Sequence, residues 1–130
     1  MRRVIAAFCA GAVLIGGAAT AAAHTTSTPT EVVFVDGAQT SSPDTLHVQG
    51  YLNTSSKCRA NRRVKIFFIY SGSPEWTLVD EDRSSLNGNW SGSGPIKGNY
   101  SQKIRVTRRN VGPPGHKHIC EPDTLIHPNA

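Results

Sequence analysis

Apolar residues recur along this chain with a period of two rather than 3.6, and in short runs. Residues 45–52 alternate, with Leu46, Val48, Gly50 and Leu52 on one face and His47, Gln49 and Tyr51 on the other. Residues 63–70 begin the same way and then become solidly apolar through Ile66-Phe67-Phe68-Ile69, the pattern of a central strand. Residues 100–108 turn Gln102, Ile104 and Val106 inward and Lys103, Arg105 and Thr107 outward. Shorter strands are predicted at the β-branched run 31–35, at 75–80 with Trp76 and Leu78 on one face, and as a stub over 89–91 around Trp90. No window keeps helical spacing for three turns, and Gly, Pro, Ser, Asn and Thr interrupt every stretch. The pattern predicts an all-β domain, a single small antiparallel β-sandwich of about seven strands, over residues 24–130. Residues 24–30 and the Pro-bearing tail after Cys120 are expected to be loosely held ends.

The first 23 residues stand apart. Arg2 and Arg3 open them, an uncharged stretch follows from Val4, and Ala21-Ala22-Ala23 offers small residues for signal-peptidase cleavage. A signal peptide over 1–23 implies secretion, to the exterior or the periplasmic or cell-envelope space. The competing reading is a retained anchor helix, since 20 uncharged residues can just span a bilayer. After cleavage no membrane span remains. Cys9 leaves with the segment, so Cys58 and Cys120 are an even pair in an oxidising compartment and are expected to form a disulfide. It would close a loop of about 63 residues, worth roughly 4 kcal/mol in the chain-entropy account. A core this small needs such a staple: the 38% hydrophobic share of the whole chain is inflated by its first 23 residues.

Several of these residues resemble a known family. Val48-Gln49-Gly50-Tyr51-Leu52 followed by Arg62-Arg63-Val64-Lys65-Ile66 looks like the opening of transthyretin-like modules, the superfamily that includes carboxypeptidase-regulatory-like domains. Residues 77–82, then Asn87-Gly88-Asn89-Trp90, then Gly98-Asn99-Tyr100 with Ile104 and Val106, are similar to that family's later strands and turns. The resemblance covers about residues 46–108. It implies a seven-strand antiparallel sandwich of immunoglobulin-like or transthyretin-like type, without catalysis of its own. The two cysteines depart from it and look more like small secreted sandwiches with one bridge.

Chemistry-bearing clusters are few. Asp80-Glu81-Asp82 is the one dense group of acids, but it lacks EF-hand spacing, and a strand would turn its members to opposite faces. His116-Lys117-His118 puts two imidazoles at i and i+2; zinc would need a third ligand such as Glu121 or His127. Trp90-Ser91-Gly92-Ser93-Gly94 approaches, without matching, a nucleophile elbow and reads more simply as a Ser/Gly turn. No metal, cofactor or catalytic residue is assigned, and three Asn-x-Ser sequons begin at Asn53, Asn89 and Asn99.

Charge is the strongest functional signal. The net charge of +5 falls to +3 without Arg2 and Arg3. Lys57, Arg59, Arg62, Arg63 and Lys65 gather before and within the central strand, and Arg105, Arg108 and Arg109 form a second group. Lys57, Arg59, Arg62 and Arg63 are therefore the expected anion-binding residues. Their partner would be an extracellular polyanion or cell-envelope polymer, or anionic lipid headgroups, with no motif for sequence-specific nucleic-acid reading. This points to a secreted, non-catalytic binding or cell-surface module. The alternative is a small secreted hydrolase or inhibitor-like effector. Mass spectrometry of the secreted protein should find His24 as the first residue, and Cys58 and Cys120 in one bridged peptide pair. Free thiols at both positions would end the staple argument.

Overall fold

The computed structural model describes residues 25–41 and 44–128; the segment 1–23, its cleavage point and Cys9 lie outside them. Ten strands and one helical turn follow in order: β1 (Thr26–Thr28), β2 (Glu31–Ser41), β3 (Asp44–Asn53), α1 (Ser56–Arg59), β4 (Arg63–Tyr70), β5 (Thr77–Arg83), β6 (Asn89–Pro95), β7 (Tyr100–Val106), β8 (Arg109–Val111), β9 (His118–Cys120) and β10 (Asp123–Pro128). An antiparallel sheet in the order β10-β7-β4-β5 faces a second in the order β2-β3-β6. Val64, Ile66, Phe68, Ile104 and Val106 of the first meet Val32, Leu46, Val48, Leu52 and Trp90 of the second in one buried cluster. This is the expected all-β sandwich.

Among the described residues ten strands form where about seven were expected, and the extra ones come from the two ends of the domain. Both stretches expected to be loose are paired. β1 lies parallel to β9 in a small third sheet, β1-β9-β8, and β10 is an edge strand of the large sheet along β7. Their pairing is non-local, so the local sequence shows no sign of it. β6 is also longer than the expected stub. Its inward positions are Trp90, Gly92 and Gly94, and the two glycines leave room that Ile66 (at Gly92) and Phe68 and Val79 (at Gly94) occupy. The Trp90 ring lies over Gly50, where a Cβ would run into it and into the Val33 carbonyl. The Ser/Gly run expected as a turn is thus a strand.

Carboxylates close both sides of the sandwich. Asp80 and Asp82, on edge strand β5, point across to edge strand β6. Asp80 accepts the Ser93 N–H at 2.9 Å and Asp82 the Ser91 N–H at 2.9 Å. These amides lie on the side of β6 away from β3, so the side chains take the place of a missing strand. On the opposite side Asp123 of β10 accepts the Val32 N–H at 2.8 Å, and His127 stacks on Phe34 at 4.3 Å between centroids.

One end of the sandwich is tied by Arg62 and the disulfide. Cys58 and Cys120 are bonded, with 5.4 Å between Cα atoms and a sequence separation of 62. Arg62 was expected at the surface as an anion-binding residue, but it is fully buried beside this bridge. Its Nη1 donates to Thr30 Oγ1 and the Cys58 carbonyl, at 3.1 and 2.9 Å. Its Nη2 donates to the Thr107, Glu121 and Cys120 carbonyls at 3.0, 2.9 and 3.4 Å. Burial, and then the charge of Arg109, push its pKa below the ordinary arginine value, yet a guanidinium keeps its charge at any physiological pH. The physical reason is parity. Val64 and Ile66 point inward, so Arg62, two residues earlier, is turned to the same side.

Two mutational outcomes follow from these contacts. Arg62→Ala should strand several buried carbonyls and cost on the order of 4 kcal/mol, read as a lower urea midpoint at unchanged slope. Exposed Arg63→Ala should change the midpoint little. Asp80→Ala and Asp82→Ala should cost about 1 kcal/mol each and expose the Ser93 and Ser91 amides to hydrogen exchange. Asn, which keeps an acceptor oxygen, should restore most of that protection.

Candidate functional site

The fold separates the four cations expected to act together. Lys57 is exposed on α1 and lines a recess with Thr26, Pro113, His116, Lys117 and His118. Arg59 turns away and donates from Nε to the Thr54 carbonyl at 3.1 Å. Arg62 is interior, as described above. Arg63 alone of the four reaches the outer face of the large sheet, where its Nε meets Glu81 at 2.9 Å.

There Arg63 gains partners from elsewhere in the chain. Register places it directly opposite Arg83 of β5, and Lys65 directly opposite Arg105 of β7. Beyond the end of β7, exposed Arg108 and half-buried Arg109 complete a shallow cleft of about 360 Å³, also lined by Arg63, Arg83, Asn61 and Thr107. Arg109 is anchored through Nη1 to the Ala60 and Asn61 carbonyls at 3.0 and 2.8 Å. Asn61 itself takes a positive φ of 54°, a left-handed turn that Asn tolerates, and this turn leads the chain into Arg62. Four guanidiniums thus converge on one cleft from β4, β5, the residue after Thr107, and β8. Like charges opposite one another repel across a ladder, and Glu81 offsets only part of that repulsion.

Further cations continue along the outward face of the sheet. Lys103 of β7 sits between two aromatic rings, 4.7 Å from the Phe67 centroid and 4.8 Å from that of Trp76. Its cross-strand neighbours are Phe67 and Ile126. Outward residues of the four strands therefore include Arg63, Lys65, Arg83, Lys103 and Arg105 against the single carboxylate of Glu81. Rigid guanidinium forks of this kind suit phosphate, sulfate and carboxylate groups.

The other candidate clusters have structural uses. Asp80 and Asp82 hold β6, while Glu81 is turned to the opposite face, as strand parity requires. His118 is bracketed by threonines of β1, with Thr26 Oγ1 2.6 Å from Nδ1 and Thr28 Oγ1 2.8 Å from Nε2. Cys58, His118 and Cys120 lie within 4.8 Å of one another, but both sulfurs are committed to the bridge. Among the described residues, no helix is long and apolar enough to cross a membrane.

Sequence reasoning missed Arg83 and misassigned Arg108 and Arg109 to a cluster separate from Arg63. Only the β4–β5 and β4–β7 registers, which the local sequence does not reveal, bring them together. No protein-family model, curated protein or solved structure matches this chain.

Proposed function

We propose that this is a secreted, non-catalytic β-sandwich protein of transthyretin-like type that binds an anionic extracellular partner through the outer face of sheet β10-β7-β4-β5. The observation that carries the reading is the convergence of Arg63, Arg83, Arg108 and Arg109 on one cleft, continued along the sheet by Lys65, Arg105 and Lys103. The disulfide supports an oxidising compartment. Several cations acting on one polyanion displace its counterions together, so binding of this kind weakens steeply with salt.

A heparin column tests it. The domain should be retained at low salt, and a variant carrying Arg63→Ser, Arg83→Ser and Arg108→Ser should elute at much lower salt. A second triple variant, Lys57→Ser, Arg59→Ser and Lys117→Ser, removes the same charge from positions off this face and should elute close to the parent. If the two variants elute alike, retention reflects net charge alone and the reading fails.

A further inference from the structure

The cationic face is also amphipathic, and its apolar side chains identify the kind of anion it meets. One row across the sheet runs Leu78, Phe67, Lys103, Ile126 on β5, β4, β7 and β10, by direct cross-strand register. Strand spacing makes this row roughly 14 Å wide. Leu78 is 48% exposed and Ile126 56%, both turned away from the core. Trp76, half-buried, adds its indole beside Lys103. The row one strand-repeat away is Glu81, Lys65, Arg105 and Thr124, and beyond it lie Arg83 and Arg63 at the mouth of the arginine cleft. The face therefore grades from apolar and aromatic at one end to arginine at the other.

Resting on the anionic-partner reading, we infer that the partner is a lipid bilayer surface with anionic phosphate headgroups. The arginine end meets the headgroup phosphates, and Leu78, Trp76 and Ile126 enter the interfacial layer. A hydrophilic polyanion would leave exposed Leu78 and Ile126 in water, with nothing to cover them. A lipid interface accepts both halves of the gradient: aliphatic and indole groups on the acyl side, cations at headgroup level. Lys103 suits the boundary, its ammonium lying against two rings that are themselves at home there. A second copy of this face is a poor alternative, because pairing would set Arg63, Lys65, Arg83, Lys103 and Arg105 against their own like. The surface is the sheet counterpart of an interfacial amphipathic helix.

The test is co-sedimentation with vesicles of phosphatidylcholine alone, or of phosphatidylcholine and phosphatidylglycerol in equal parts, beside the heparin column. The domain should bind the mixed vesicles and not the neutral ones. Its tryptophan emission should shift to the blue on binding, a shift abolished by Trp76→Phe because Trp90 is already buried in the core. Leu78→Ser with Ile126→Ser should weaken vesicle binding roughly tenfold while leaving heparin retention and thermal melting unchanged. Retention on heparin without vesicle binding would overturn the lipid inference and leave the polyanion reading standing. Vesicle binding with no Trp76 shift and no loss in the double variant would overturn it too, since bare electrostatic attraction explains that result. Failure on both supports would remove both.

Discussion

Everything at one end of this sandwich depends on a single buried guanidinium. Arg62 gathers Thr30, Cys58, Thr107, Cys120 and Glu121, which belong to the entry into β2, to α1, to the exit from β7, to the end of β9 and to the turn between β9 and β10. None of its partners is a carboxylate, so four carbonyl dipoles and the Thr30 hydroxyl compensate the charge in a place from which water is excluded. The Cys58–Cys120 bridge makes that arrangement sustainable. It fixes two of the acceptor-bearing residues next to each other whatever the state of the arginine, and the arginine in turn orders carbonyls that the bridge leaves unpaired. The two devices therefore act on one junction, where the small third sheet joins the sandwich.

Along the sides, carboxylates do what Arg62 does at the end. Asp80, Asp82 and Asp123 each accept a backbone N–H from an edge strand of the opposite sheet. An open edge is a template for pairing with another chain, and an inward-turned charge is one of the ways natural sheets protect it. Here the same charge also satisfies the amide it covers. Three such bonds frame the apolar cluster between the sheets, at its edges.

Strand periodicity made the central part of this fold legible. The span of β4 and the inward faces of β3, β4 and β7 follow from alternation alone, and the disulfide follows from an even cysteine pair. Arg62 shows how far the same rule reaches. Parity places it on the side of Val64 and Ile66, whereas its charge suggests solvent; parity decides, because the junction supplies five acceptors. Asp80 and Asp82 follow parity as well, with Glu81 between them on the other face. What alternation cannot supply is register between strands far apart in sequence. The pairing of Thr26–Thr28 with His118–Cys120 and the docking of Asp123–Pro128 on β7 belong to that class, while the meeting of Arg63 with Arg83 in the β4–β5 hairpin depends on a register shift between Ile66 and Phe67 that alternation does not show either.

The segregated charge of the outer face is a consequence of the way the sandwich is closed. Within Asp80-Glu81-Asp82-Arg83, alternation turns two of the three acids inward to hold β6 and leaves Glu81 and Arg83 outside. Asp123 is withdrawn on the opposite edge in the same manner, and its outward neighbours there are Thr124 and Ile126. Acids that would otherwise have been interleaved with the cations of β4 and β7 are thus consumed as hydrogen-bond acceptors at the sheet edges. Lys65 shows the difference within one residue, with Glu81 opposite it on one side and Arg105 on the other. Solubility alone is served by charges of either sign in any arrangement. A face that keeps like charges in register bears a repulsive cost, and a bound anion would turn that repulsion into attraction.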